Sequence, residues 1–117
     1  MGTFNVAIQV GDPQSRRFEP IEALVDTGAT CTVLPGPLLQ RLGGVPHRRS
    51  LFELADGRQA EWEIGRTWIQ LNGQREMALV VFGEDDSQPI LGAVTLEEFL
   101  MSSEPNHERL YQSPGRS

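Results

Sequence analysis

Two dipeptides, Asp56-Gly57 and Asn72-Gly73, constrain the fold of this chain most strongly. Each lies between two apolar runs, and such pairs favour tight hairpins because both residues tolerate a positive φ. We therefore predict two antiparallel hairpins. Their strands cover residues 51–55 with 59–64 and residues 68–71 with 76–82. Trp62 and Trp68 lie in these strands, where we expect them to pack across the hairpins.

The remaining pattern adds short strands and two short helices. Phe4, Val6, Ile8 and Val10 alternate with other residues, which is the two-residue period of a strand with one buried face. Further apolar runs cover residues 20–25, 30–34 and 89–92. Helices are predicted over residues 37–42 and 93–101, the second with Thr95 and Glu98 at the spacing of a capping box. The total of about seven short strands predicts an all-β class, a small barrel or sandwich.

The length of 117 residues and a hydrophobic content of 38% suit one compact domain with one core. We place this domain at residues 1–101. The polar remainder, residues 102–117, is predicted to be a tail with a short strand near residues 108–112.

The formal net charge of −6 argues against nucleic acid as a partner, because such binders display a clustered basic face. Arg16-Arg17 and His47-Arg48-Arg49 are short basic islands, which we interpret as solvated turns. No stretch approaches the length of a transmembrane helix, and the N-terminus does not have the pattern of a signal peptide. We expect no membrane partner and a cytoplasmic location.

Cys31 is the only cysteine, so an internal disulfide is excluded, as is typical of a reducing compartment. It lies in a predicted buried strand, where cysteine behaves as a small hydrophobic residue rather than as a nucleophile activated by His47 or His107. These residues also lack the spacing of metal ligands. The sequence therefore implies neither a metal nor a cofactor.

The tripeptide Asp26-Thr27-Gly28 follows one apolar run and precedes another. Taken alone, it is good turn chemistry between two strands. Together with the two hairpins and the downstream Ile-Leu-Gly segment, however, it resembles the retropepsin-like aspartic proteases across residues 4–101. The segments that carry this resemblance are residues 23–30, 68–73 and 89–92.

The resemblance implies half of an acid-protease barrel, with two short helices and one active-site loop per subunit. It assigns the catalytic carboxylate to Asp26 and the support of the active-site loop to Thr27, Gly28 and Ala29. The mobile flap would comprise Leu54, Ala55, Asp56, Gly57 and Arg58. The substrate cleft would include Ile90, Leu91 and Gly92.

The implied activity is that of an aspartic endopeptidase, in which water is activated between two Asp carboxylates. One carboxylate acts as general base while the other, still protonated, donates to the carbonyl oxygen. A chain with one such loop must form a homodimer to supply both, and it then acts on a peptide or protein without metal or cofactor. Thr30, Cys31 and Ala93 replace the charged residues of retroviral members, so the chain looks closer to cellular and bacterial members.

Two alternatives stay open at the level of sequence. One is a dimeric module that grips extended peptides on the same scaffold without cleaving them. The other is a monomeric barrel in which the tripeptide is only a turn.

Overall fold

A computed structural model of the chain describes residues 3–53, 57–104 and 109–112. Within these residues it contains nine strands and two short helices. The strands are β1 (Phe4–Gly11), β2 (Phe18–Val25), β3 (Thr32–Pro35), β4 (Arg48–Glu53), β5 (Gln59–Leu71), β6 (Gln74–Gly83), β7 (Ile90–Leu91), β8 (Met101–Glu104) and β9 (Arg109–Gln112). The helices are α1 (Gly36–Arg41) and α2 (Ala93–Glu98).

Seven of the strands form one sheet in the order β1-β2-β7-β3-β6-β5-β4. Pairing of Gln9 with Gln70 and of Val10 with Ile69 joins β1 to β5 and closes the sheet into an uneven ring. Among the described strands, β4 pairs with β5 alone and so extends from the ring, and β8 and β9 form a separate two-stranded sheet. The predicted all-β class with a closed, barrel-like sheet and two short helices is confirmed.

Strand β7 occupies a central place although it has only two residues. It runs parallel to β2, with Leu24 opposite Ile90 and Val25 opposite Leu91. On its other side it is antiparallel to β3, where Val33 pairs with Ile90. Because β7 lies between β2 and β3, the connection from β2 to β3 must cross over the end of β7.

The core fills the interior of the ring and extends under α1 and α2. Phe4, Ile8 and Val10 alternate inward on β1, as the sequence period predicts. Leu34, Leu39 and Leu91 join them from other elements, and burial of each such side chain contributes about 1.5–3 kcal/mol relative to exposure. The ring is therefore held together by apolar packing as well as by its hydrogen-bonded ladders.

The turns of the two predicted hairpins follow from their dipeptides. Asn72 and Gly73 have φ angles of 51° and 79°, and positive values at both positions are what a type I′ turn requires. The first hairpin pairs Glu53 with Gln59, and Gly57 has a φ of 87°. Leu54, Ala55 and Asp56, the first part of the predicted flap, lie outside the described residues.

Strand β5 differs from the prediction because it is one continuous strand where the sequence predicts two. Gly65 occupies the expected break. A β-carbon at this glycine would lie 3.0 Å from the Phe82 ring and 3.1 Å from the Val45 carbonyl oxygen. The glycine therefore serves close packing within the strand rather than a turn.

The second helix is shorter than predicted, and its predicted capping box is wrong. Helix α2 ends at Glu98, and its N-cap residue is Gly92. Thr95 therefore lies inside the helix, where its hydroxyl contacts Thr32 instead of capping a helix end.

The segment predicted as a polar tail contributes to the fold. Strands β8 and β9 form an antiparallel hairpin in which Ser103 pairs with Leu110. Met101 is buried in the core, and Leu110 packs against it. Strand β9 lies within the range 108–112 that the sequence assigns to a short strand.

Candidate active site

The Asp26 loop, residues 26–31, connects β2 to β3 across the end of β7. The Asp26 N–H donates to the Leu91 carbonyl at 3.1 Å, and the Leu24 N–H donates to the Pro89 carbonyl at 2.8 Å. These bonds attach the start of the loop to β7 and to Pro89 before it, and the loop ends in β3, which pairs with β7 on its other side. The position of the loop is fixed by the closure of the ring.

A tight turn at the start of the loop orients the Asp26 carboxylate. The Ala29 N–H donates to the Asp26 carbonyl, and the Gly28 N–H donates to Asp26 Oδ1, each at 3.0 Å. Asp26 is half-buried, whereas Thr27 and Gly28 are exposed. The carboxylate is therefore held by the backbone and lies at the surface of the protomer.

Helix α2 holds the second half of the loop through its first two N–H groups. The Ala93 N–H donates to the Ala29 carbonyl at 2.8 Å, and the Val94 N–H donates to the Thr30 carbonyl at 3.1 Å. The first N–H groups of a helix have no partner within the helix, so they are free to bind acceptors elsewhere. Here those acceptors are carbonyls of the Asp26 loop.

A buried pair of threonine hydroxyls links α2 to the first residue of β3, where the Asp26 loop ends. Thr32 Oγ1 lies 2.5 Å from Thr95 Oγ1 and also accepts the Gly92 N–H at 3.0 Å. Both side chains are only 1% exposed. Loss of either hydroxyl would leave a polar group without its partner away from water. The sequence showed Thr32 only as a β-branched strand residue and did not predict this contact.

Gly92 lets the backbone of α2 approach the Asp26 loop. A β-carbon at this position would lie 2.6 Å from both the carbonyl carbon and the carbonyl oxygen of Cys31, and 2.9 Å from the Thr30 oxygen. These are backbone atoms, which cannot swing aside as the end of a side chain can. Only glycine fits this junction without moving the loop.

An apolar cavity of about 420 Å³ lies beside the Asp26 loop. The loop contributes one wall, β3 and β6 contribute a second, and aromatic side chains of the β4–β5 hairpin contribute a third. The lining residues are Ala29, Thr30, Cys31, Val33, Phe52, Trp62 and Val81. Trp62, expected to serve cross-strand packing, therefore also lines a cavity at the candidate site. Cys31 precedes β3 instead of lying in it and is half-buried.

The residues assigned to the substrate cleft lie in β7 and at the N-cap of α2, next to the Asp26 loop. Leu91 and Gly92 are buried, Ile90 is half-buried, and none of the three lines the apolar cavity. Gly57 and Arg58, the described part of the predicted flap, are exposed at the start of β5. The roles of these residues toward a substrate stay predictions.

Two carboxyl groups with displaced pKa values lie outside the Asp26 loop. Hydrogen bonds led by that from the Arg17 N–H hold the pKa of Asp12 below its usual value. Burial raises the pKa of Glu98, partly opposed by the charge of Arg66. Among the described residues, no group of three or more histidine, cysteine, aspartate or glutamate side chains has the arrangement of a metal site. Within the same residues, no helix has both the length and the apolar character that a membrane span needs.

A closed β-ring whose Asp-Thr-Gly loop crosses a central two-residue strand and rests on a short helix defines the class of aspartic-protease domains. The model of the gag-polyprotein putative aspartyl protease family matches residues 17–98. The chain belongs to this family. No curated protein matches it in sequence.

Two solved structures of viral proteases resemble the fold. The solution structure of simian foamy virus (mac) protease has a TM-score of 0.58 at 17% identity, covering 80% of this chain and 91% of that chain. EIAV protease complexed with the inhibitor HBY-793 has a TM-score of 0.57 at 22% identity, covering 80% of this chain and 85% of that chain. At these identities the likeness shows a retropepsin-like fold.

Proposed function

We propose that the chain is an aspartic endopeptidase that works as a homodimer, with Asp26 of each subunit at one shared site. The observation that carries this proposal is the half-buried Asp26 carboxylate, oriented by the Gly28 N–H at the start of a surface loop in a member of an aspartyl protease family. The sequence contains the Asp-Thr-Gly tripeptide once. A second copy of the chain is therefore the source of the second carboxylate.

The proposed reaction needs the two carboxyl groups in different protonation states. Like charges within one site cannot both ionise easily, so the pair retains one proton. The ionised Asp26 removes a proton from water, which attacks the peptide carbonyl carbon. The protonated Asp26 of the other subunit donates to the carbonyl oxygen. The first Asp26 then passes the proton taken from water to the leaving nitrogen, and the tetrahedral species collapses to the acid and the free amine as one of its hydroxyl protons returns to the second Asp26. No covalent intermediate forms.

The apolar cavity supports a preference for a large apolar side chain close to the scissile bond. Its walls include the loop that carries Asp26, so a side chain seated against Phe52 and Trp62 would place its own backbone near the carboxylate. Apolar pockets with few polar groups are the usual form of ligand sites. Peptide substrates with aromatic or long aliphatic residues next to the scissile bond are therefore the first to test.

The decisive experiment compares the wild-type protein with Asp26→Asn on internally quenched peptides of this kind. Asparagine cannot accept the proton from water, so we expect turnover to fall by about 10³-fold or more, with an unchanged melting temperature. Glu22→Gln is the matched control, because Glu22 is an exposed carboxylate on β2 and its loss should leave turnover unchanged.

The pH dependence separates cleavage from binding alone. A dyad that shares one proton gives a bell-shaped profile of kcat/KM on the acidic side. If the purified Asp26→Asn variant cleaves as well as the wild type, the catalytic assignment is wrong. If the wild-type protein binds these peptides but cleaves none at any pH, the chain is a peptide-binding module instead. The cytoplasmic location stays a prediction.

A further inference from the structure

A second cavity, of about 410 Å³, lies far from Asp26, between the turn that joins β1 to β2 and the end of α1. We call it the arginine cleft. Its lining residues are Asp12, Pro13, Gln14, Arg16, Arg17, Arg41, Leu42 and Gly43. Strand β2 leads from this turn to Asp26, and its eight residues span roughly 25 Å. The cleft is therefore separate from the site proposed for catalysis.

The turn of residues 12–17 is fixed by a buried carboxylate. Asp12 Oδ1 accepts the N–H of Arg16 at 2.5 Å and the N–H of Arg17 at 2.9 Å. The Asp12 N–H in turn donates to the Arg17 carbonyl at 3.0 Å. The backbone that carries the two arginines is thus held in one conformation, which lowers the entropy that a ligand must remove on binding.

The two walls of the cleft are joined through their arginines. Arg17 Nη2 donates to the Arg41 carbonyl at 3.0 Å, and Arg41 Nη2 lies 2.6 Å from Glu19 Oε1. The Arg16 side chain is 75% exposed; its Nε lies 3.9 Å from Asp12 Oδ2, and its Nη2 donates to Gln14 Oε1. Each guanidinium carries five N–H donors, more than these contacts engage. The remaining donors are available to a ligand.

The charge of the cleft is opposite to that of the whole chain. The net charge is −6, and the sequence contains no lysine, so all ten cationic side chains are arginines. Three of the ten line this one cavity. Asp12 binds backbone N–H groups and lies 3.9 Å from Arg16 Nε, and Glu19 pairs with Arg41, so these two described carboxylates leave the three cations in excess. Planar guanidinium groups bind carboxylates with two parallel hydrogen bonds, which a lysine cannot do.

We propose that the arginine cleft binds an acidic peptide segment through Arg16, Arg17 and Arg41. The volume favours a segment over a single small anion, because a carboxylate or phosphate fills only a minor part of such a cavity. The lining contains no aromatic side chain on which a nucleic-acid base would stack. Arg16 and Arg17, which the sequence suggested were a solvated turn, thereby become part of a recognition surface.

The test uses a fluorescein-labelled peptide with four consecutive glutamates and the same peptide with four glutamines, in fluorescence anisotropy at low ionic strength. We expect the glutamate peptide to bind and the glutamine peptide not to bind. The double variant Arg17→Gln, Arg41→Gln should weaken binding by about tenfold or more, since charge-assisted hydrogen bonds are lost. Arg16→Gln should weaken it several-fold. Its exposed side chain makes this the variant in which folding is least affected, as a melting curve will check.

Arg48→Gln is the matched control, because it removes one exposed arginine on β4, outside the cleft. Equal weakening by Arg48→Gln would mean that the peptide responds only to net charge and would overturn the proposal. The proposal would also be overturned if Arg16→Gln and the double variant both fold and both bind the glutamate peptide as tightly as the wild type does. Tighter binding of inorganic phosphate or of a single-stranded oligonucleotide than of the glutamate peptide would also defeat it. Turnover by Asp26 is a separate measurement, so either proposal can fail alone.

Discussion

At the scale of single residues, Gly92 sets how closely α2 approaches the Asp26 loop. Gly92→Ala would bring its β-carbon to 2.6 Å from the Cys31 backbone, and the strain must move the loop or the helix. Overpacking of this kind costs about 1–3 kcal/mol. Because a small displacement of a catalytic group is also costly for the reaction, we expect kcat/KM to fall on the order of 10²-fold. Denaturant unfolding and peptide turnover measure the two effects.

The matched control for Gly92 is Gly43→Ala. Gly43 has a φ of 86°, and a β-carbon there would meet nothing within 4 Å. The left-handed backbone alone costs alanine about 1 kcal/mol. This variant should therefore lose stability and keep its turnover. Equal loss of turnover in both variants would show that the Gly92 effect is one of general stability and not of loop position.

Asp12 gives a stability effect whose sign with pH can be worked out. Its pKa in the folded protein is held below the ordinary value of 3.8 by hydrogen bonds, first that from the Arg17 N–H. A depressed folded pKa contributes stability that is fully present above the unfolded pKa and is lost as pH falls through the folded pKa. Asp12→Asn removes this contribution. Near pH 6 we expect the wild type to have a higher free energy of unfolding than the variant. Below pH 3.8 this difference should shrink. Urea unfolding of both proteins at the two pH values measures it. A gap that stays constant with pH would contradict the prediction.

At the scale of elements, α2 is attached to the Asp26 loop by backbone hydrogen bonds and to the start of β3 by side-chain hydrogen bonds. Thr32→Val leaves the buried Gly92 N–H without its acceptor, which costs about 1–3 kcal/mol. Thr95→Val removes the partner of the Thr32 hydroxyl. Since the two hydroxyls contact each other, we expect the double variant to lose less than the sum of the single losses, by about 1 kcal/mol.

The control for this cycle pairs Thr32 with Thr67. The Thr67 hydroxyl is also buried, but it donates to the Gly11 carbonyl and shares no hydrogen-bond partner with Thr32. The losses from Thr32→Val and Thr67→Val should therefore add. A Thr32 and Thr95 pair that is equally additive in urea unfolding would mean that their contact has no energetic weight of its own.

A hairpin, helix α2 and strand β5 show what the sequence can and cannot predict at this scale. The hairpin at Asn72-Gly73 was predictable because its φ angles are a local requirement of two adjacent residues. The capping box at Thr95 was a local signal too, but it was overridden, because the Thr95 hydroxyl contacts Thr32 of β3, more than sixty positions away. The continuity of β5 between residues 64 and 68 was missed for a similar reason, since Gly65 contacts Phe82 of the neighbouring strand. Local turn chemistry was sufficient where no distant element competed.

The candidate site also combines features that adjacent residues determine with features that depend on distant strands. The turn at Asp26 was predictable from adjacent residues, because the carboxylate and the Gly28 N–H that orients it are two positions apart, whereas its catalytic role was implied by the family resemblance and stays a prediction. Phe52 and Trp62 reach the same site only through the pairing of β4 with β5 and of β5 with β6. Their place at the cavity therefore required the three-dimensional structure.

At the scale of the whole molecule, the ring is complete with one Asp26 loop, so a protomer has a finished fold and half of the proposed reaction centre. Mixing tests this directly. When wild-type and Asp26→Asn subunits are combined in equal amounts and allowed to exchange, about one quarter of the dimers carry two aspartates. We expect turnover per total subunit to fall to about a quarter of the wild-type value, because a mixed dimer lacks one member of the proton-sharing pair. Subunits that work singly would give one half. Mixing with Glu22→Gln should leave turnover unchanged, which shows that exchange itself does no damage.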